Sequence, residues 1–145
     1  MPVESAHSKL DALKPDLIAY IDGGCLGNPG PSGIGVILNG AAEPIRISKW
    51  IGRRDNNVAE YLALVEALQC AISLRANRLH VYSDSQVVVR QMTGEYECRS
   101  PRLYSLHWTC RKLARSLHFS ISHVDRKQNA EANTLAHSAV RQRLL

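Results

Sequence analysis

Two short apolar runs in this chain each end in an acid. Leu17-Ile18-Ala19-Tyr20-Ile21 is closed by Asp22, and Leu79-His80-Val81-Tyr82-Ser83 by Asp84. Runs this short and this apolar read as central strands of a sheet covered on both sides. If the two lie side by side and parallel, their acids reach the same sheet edge about 5 Å apart. A third acid, Glu60, opens a long helical stretch with almost no other polar residue on its flank. Burying an ionised carboxylate costs several kcal/mol unless a cation or hydrogen bonds compensate. Alone, each acid has a plain structural explanation, since a strand-end Asp often caps a turn and a first-turn Glu answers the helix dipole. Three together, in a chain of net charge +5, point to a hard divalent cation and to phosphate chemistry around it.

At 145 residues the chain is long enough for one domain with a real core. Its 45% apolar and 21% charged residues suit a soluble globular protein. Basic residues gather at Arg46, Lys49, Arg53 and Arg54, then at Arg99, Arg102, Arg111, Lys112, Arg115, Arg126 and Lys127. They fit a polyanionic partner, although such runs also serve simply as a solvated face. The cysteines at 25, 70, 98 and 110 form no C-x-x-C pair, and residues 1–16 do not read as a signal peptide. A cytoplasmic, monomeric protein with free thiols is expected, and no apolar run approaches the ~20 residues of a membrane-spanning helix.

Turn chemistry at Gly27-Asn28-Pro29-Gly30-Pro31 and at Gly40 separates strands expected at Leu17–Asp22, Ile34–Asn39 and Ile45–Ile51. Connections this short make an antiparallel meander. A helix is expected from Asn56 to Leu74, apolar nearly all round and therefore buried, with Asp55 or Asn56 as its cap. A strand over Leu79–Asp84 follows, then helices over about Ser85–Met92 and Arg102–Ser116. A strand over His118–Val124 and a helix from about Gln128 to Arg141 close the chain. Residues 1–16 are expected to be a flexible extension and 17–145 the single α/β domain. Trp50, Trp108 and Tyr104 read as packing residues, and the histidines at 7, 80, 107, 118 and 137 lack the spacing of a zinc site.

Four segments together carry a resemblance. They are Asp22-Gly23-Gly24-Cys25-Leu26-Gly27-Asn28-Pro29-Gly30-Pro31-Ser32-Gly33-Ile34-Gly35, Asn56-Asn57-Val58-Ala59-Glu60-Tyr61, Ser83-Asp84-Ser85-Gln86, and Asn129-Ala130-Glu131-Ala132-Asn133-Thr134-Leu135-Ala136. In this order, across about residues 17–140, they resemble the motifs of type 1 ribonucleases H. The resemblance implies a ribonuclease H-like fold, a five-stranded mixed sheet of order 3-2-1-4-5 with helices on both faces. It also implies a metal-dependent endonuclease that cuts the RNA strand of RNA/DNA hybrids by two-metal hydrolysis, leaving 5′-phosphate and 3′-hydroxyl ends. Asp22, Glu60 and Asp84 would then hold Mg²⁺, or Mn²⁺ in its place. Gly23, Gly24, Asn28, Asn56, Asn57 and Gln86 would contact the hybrid, the amides suiting a ribose 2′-hydroxyl and the glycines admitting a nucleic-acid backbone.

The chain departs from the pattern at two positions. Asn133 stands where the family has its fourth carboxylate; its amide oxygen can ligate a hard cation, but one negative charge is lost. Asp55 stands where members often carry a Thr that helps hold a phosphate, which a carboxylate would repel. His123 has the spacing of the family's mobile catalytic histidine, and Arg126 is the alternative for that role. The short Gly94–Arg102 segment leaves no room for a basic protrusion, so Arg99, Arg102 and the Arg111–Arg115 helix are the expected substitute for a duplex-binding surface. The rival readings are another nuclease of the same superfold and a hybrid-binding module that has lost catalysis through Asn133.

Overall fold

The computed structural model describes residues 14–145, so most of the expected extension lies outside the described residues. Five strands form one sheet: β1 Asp16–Cys25, β2 Gly30–Asn39, β3 Ile45–Arg54, β4 Arg78–Ser83 and β5 His118–His123. Their order is β3-β2-β1-β4-β5, with β1–β2 and β2–β3 antiparallel and β1–β4 and β4–β5 parallel. The meander and the expected strand order are both present. The helices are α1 Asn56–Ser73, α2 Gln86–Thr93, α3 Pro101–Ala114 and α4 Ala130–Leu144. Helix α1 packs on β1 and β2 and against α3, whereas α4 lies across β1, β2 and β3 on the opposite face.

Several boundaries differ from expectation, for identifiable reasons. Strand β1 begins at Asp16, inside the expected extension, because Asn77 donates to the Pro15 carbonyl (2.8 Å) and to the Asp16 carboxylate (3.2 Å). It also runs on past Asp22, pairing Gly24 with Gly33 and Cys25 with Ser32, so the glycine-rich stretch is strand before it is turn. Asp84 lies one residue beyond β4, with Ser85 capping α2 through the Val88 N–H (3.2 Å). Arg126–Asn129 is a 3-10 turn, entered through a capping box between Asp125 and Gln128, so α4 starts later than Gln128.

The core lies between α1 and the sheet. Leu17, Ala19 and Ile21 from β1, Leu79 and Val81 from β4, and Tyr61, Leu64 and Leu68 from α1 are all buried. Each large side chain removed from water there contributes about 1.5–3 kcal/mol. Small residues bring α1 close: Ala59, Ala63, Ala67 and Ala71 are fully buried along it. Only this inner side of α1 is buried, and Val58, Leu62, Val65 and Ile72 are half-exposed, so the helix is not enclosed all round as expected.

One polar network crosses this core. Arg111 donates to His107 Nε2 (2.9 Å), which leaves Nδ1 to carry the ring proton and donate to the Tyr61 hydroxyl (3.1 Å). Tyr61 in turn donates to Gln91 Oε1, so every member of the chain is satisfied. Burial first, and then the Arg111 charge, hold the His107 pKa below its ordinary value. Among the described residues no helix is long and apolar enough to cross a membrane.

Candidate active site

The β1–β4 register, with Ile21 opposite Ser83, carries Asp22 and Asp84 to the same edge of the sheet. The second turn of α1 brings Glu60 to meet them, the helix start being fixed by Asp55, which caps it through the Val58 N–H (3.0 Å). Glu60 accepts from the Gly23 backbone N–H, which fixes its carboxylate beside Asp22. One oxygen from each of Asp22, Glu60 and Asp84 lies within 4.8 Å of the others. Asn133 approaches from α4, its Nδ2 donating to Asp22 Oδ2 (3.1 Å). Asn129, buried one turn earlier, donates to the Ile21 carbonyl (2.7 Å) and so ties the start of α4 to the strand that holds Asp22.

Asp22 is 4% exposed and Glu60 8%, while Asp84 is half-buried. Burial pushes the Asp22 carboxyl up to about 6, with the Asp84 charge adding to it and the Asn133 N–H and Arg126 opposing it. Burial and the charges of Asp22 and Asp84 also hold Glu60 well above the carboxylate range, against the opposing Gly23 N–H. Without a cation, full ionisation of this cluster is therefore unfavourable. The donor set, three carboxylates with converging oxygens, is the kind a hard divalent cation takes. The residues present fit such an ion.

The cluster opens into a groove of about 520 Å³ lined by Asp22, Gly23, Asn56, Asn57, Glu60, Asp84, Ser85, His123, Val124, Asp125, Arg126 and Asn133. Nine of the residues singled out from the sequence thus stand together. Gly24, Asn28 and Gln86 do not line the groove. The Asn28 amide oxygen accepts from the Asn56 backbone N–H (3.0 Å), tethering the β1–β2 turn to α1, and Gln86 is exposed at the start of α2. His123 and Arg126 both border the groove and are exposed.

Gly23, which lines the groove, also has a packing role that the sequence reading did not include. A Cβ there would meet the Ala59 carbonyl carbon at 2.2 Å and the Glu60 nitrogen at 2.5 Å, so the space it leaves is filled by α1 itself. A Cβ on Gly24 would find only His137, at 4.0 Å. Ser85 and Asp125 were missing from the expected site; the spacing of Asp125 and Gln128, a capping-box pattern, was the signal for the latter. The Arg111–Arg115 end of α3 lies away from this groove and lines a different cavity.

Residues 20–139 match the family described as Reverse transcriptase-like. Ribonuclease HI of Halobacterium salinarum is 37% identical over 125 residues, 84% of this chain and 63% of that protein. A Mycobacterium tuberculosis protein described as bifunctional is also 37% identical, over 86% of this chain but 35% of its own length. The chain thus spans less than two thirds of these curated relatives. Among solved structures, the N-terminal RNase H domain of Rv2228c from Mycobacterium tuberculosis superposes with a TM-score of 0.82 at 35% identity, covering 86% of this chain and 98% of that one. LC11-RNase H1, solved in complex with an RNA/DNA hybrid, superposes at 0.81 with 31% identity, covering 90% of this chain and 100% of that one. With the strand order, the acid cluster and these matches in agreement, the chain belongs to the Reverse transcriptase-like family and is similar to ribonucleases H.

Proposed function

We propose that this chain hydrolyses the RNA strand of RNA/DNA hybrids, leaving 5′-phosphate and 3′-hydroxyl ends. The observation that carries the reading is the convergence of Asp22, Glu60 and Asp84 oxygens within 4.8 Å at the floor of an open groove. The likeness to a protein solved with an RNA/DNA hybrid supports the choice of substrate.

Asp22, Glu60 and Asp84 would hold two Mg²⁺, or Mn²⁺ in their place, with Asn133 as a neutral fourth member. Bound divalent ions supply an activated water and neutralise charge at the scissile phosphate. The chain's own residues then perform three tasks. Gly23, through its N–H, fixes Glu60 so that the acids stay converged. Asn56 and Asn57, at the start of α1, present amides that can donate to and accept from a 2′-hydroxyl. With Asp55 as the helix cap, the Asn57 side chain is not needed for that job. Arg126, close enough to lower the Asp22 pKa, offers a cation at the groove wall, and His123 a group able to move a proton as product leaves.

The reading includes residues 17–145 as one catalytic domain acting as a monomer. It also includes a cytoplasmic setting, which suits the free thiols of Cys25, Cys70, Cys98 and Cys110. The test uses strand-labelled hybrid, duplex RNA and duplex DNA, each with Mg²⁺, with Mn²⁺ and with chelator. Only the RNA strand of the hybrid should be cut, and only with metal. Equal cutting of duplex RNA, or of single-stranded RNA run alongside, or activity that survives chelation, would sink the reading. Tight hybrid binding without cleavage would favour the binding-module alternative.

A further inference from the structure

A second cavity, about 610 Å³, lies at the other end of β4 and β5. Its lining includes Arg78, Trp108, Arg111, Arg115, His118 and Phe119, and no acidic residue. From Arg78 at the start of β4 to Asp84 past its end, six residue steps of extended chain span about 20 Å, so this cavity is separate from the carboxylate groove. The cavity is open to solvent, and residues of β5, the edge strand of the sheet, form part of its wall.

Among the described residues its cations lack counter-charges. Arg111 is half-buried, yet its guanidinium is held by neutral acceptors, His107 Nε2 (2.9 Å) and the Gln91 carbonyl (3.1 Å). Among the described residues neither Arg78, Arg111 nor Arg115 has a carboxylate within ion-pair distance. Asp16 is the strand neighbour of Arg78, but its carboxylate accepts from Asn77 (3.2 Å). Gathering three guanidiniums around one hollow costs repulsion that an anion there would relieve.

An aromatic face completes the site. Trp108, expected from the sequence to be a packing residue, is 45% exposed. The His107 ring meets it edge-on (centroids 5.5 Å apart), and the Arg111 guanidinium lies 5.9 Å from its centroid. Cations that can take a phosphate beside an indole that can take a base are the two elements of single-strand recognition. The volume falls in the range of sites that hold one small ligand, while the opening to solvent lets a chain enter and leave.

We propose that this cavity is an exosite for single-stranded nucleic acid, seating one nucleotide with its base against Trp108 and its phosphate between Arg78, Arg111 and Arg115. It goes beyond the hydrolytic reading and does not rest on it, because it concerns binding at a separate place.

The experiment measures fluorescence anisotropy of a labelled single-stranded oligonucleotide with the full chain in chelator. Alongside it run binding of a blunt hybrid and cleavage of that hybrid with Mg²⁺. The variant pair Arg78→Glu, Arg115→Glu should weaken single-strand binding by about tenfold or more, and Trp108→Ala by about fivefold to tenfold. Blunt-hybrid cleavage and melting temperature should stay near those of the unaltered protein. Arg141→Glu with Arg143→Glu, an equal charge change in the last turn of α4, should leave single-strand binding nearly unaltered. A nucleoside monophosphate should compete better than inorganic phosphate. The proposal is overturned if the Arg78, Arg115 pair binds single strands normally, or if the control pair loses as much. Equal competition by phosphate and nucleotide would assign the cavity to a bare anion and overturn it too. Failure of hybrid cleavage in the unaltered protein would count against the hydrolytic reading alone.

Discussion

Arg102 pairs with Asp55 through Nε and Oδ2 at the start of α1, joining α3 to the cap of the helix that carries Glu60. The pair answers the objection raised by a carboxylate at position 55. Asp55 is occupied twice, by the Val58 N–H and by a guanidinium, so its charge is offset where a phosphate would approach. Arg102 is largely exposed, so the pair should contribute at most about 1 kcal/mol to stability. Its effect should fall on substrate instead. Arg102→Ala should raise KM for a hybrid by roughly three- to tenfold with little change in kcat, because it bares Asp55 to the phosphates. Asp55→Thr in the same chain should recover most of the loss. Effects that simply add in the double variant would mean that the two residues are not coupled.

Gly23 should prove intolerant and Gly24 tolerant, although the two are adjacent and both are glycine. A Cβ at 23 would lie 2.2 Å and 2.3 Å from the carbonyl carbon and oxygen of Ala59, backbone atoms that cannot swing away. Gly23→Ala must push α1 off the sheet, at a cost of about 3 kcal/mol or more, and loosen the hold on Glu60. Gly24→Ala meets nothing closer than 4.0 Å and should change stability by less than about 0.5 kcal/mol. Denaturant unfolding of the two variants decides it. Equal midpoints would show that α1 does not approach so closely.

The same glycines show where sequence reading stops. Strands β1 and β4 were legible because each is continuously apolar up to its acid, and that was enough to place Asp22 and Asp84 together. The end of β1 was not. Gly23 and Gly24 lie beyond the expected end of the strand at Asp22, yet they continue it and pair with Ile34 and Gly33. Gly33 and Gly35 show the cause, since a Cβ there would meet the Ala136 oxygen at 2.5 Å or the Ala132 oxygen at 2.1 Å. These glycines record how close α4 comes to the sheet, a distance set by residues about a hundred positions away. Arg111 makes the same point for charge. Its place in a basic run suggested a duplex surface, but the turn of α3 aims it at His107 and Gln91.

Asp22 should make the metal-free protein less stable as pH rises. Its folded pKa is raised from 3.8 to about 6, so between those values the folded state holds more protons than the unfolded state. Stability is then greatest below the unfolded value and declines as pH climbs to about 6. At about 1.4 kcal/mol per pKa unit, the loss is on the order of 2–3 kcal/mol. Asp22→Asn removes the ionisation, so in chelator it should raise the melting temperature at pH 7 and give little gain near pH 3.5. With saturating Mg²⁺ the ranking should reverse, because the unaltered site gains binding energy that the variant lacks, and cleavage by the variant should be lost. A difference between the two proteins that is constant with pH would show that Asp22 ionises as it does in water.

Asn133 is the decisive position, because it now gives Asp22 a hydrogen bond where an acid would give it a repulsion. Replacing it with Asp adds a fourth negative charge beside Asp22, Glu60 and Asp84 and removes the N–H that lowers the Asp22 pKa. Without metal the variant should therefore melt lower at pH 7 and 8. Helix propensity explains none of this, since Asn and Asp differ little in a helix. With metal the sign reverses. Mg²⁺ keeps most of its waters and depends on few carboxylates, so an added charge should act chiefly on the more weakly held ion. The expected result is a shift of the Mg²⁺ and Mn²⁺ activity curves to lower concentration, a smaller change in maximal rate, and a larger metal-induced rise in melting temperature than in the unaltered protein. The two readouts separate the possible failures. Superimposable metal titrations with a lowered metal-free melting temperature would place residue 133 beside the acids but outside the ion's shell. No change in either would mean that its side chain does not face Asp22 at all.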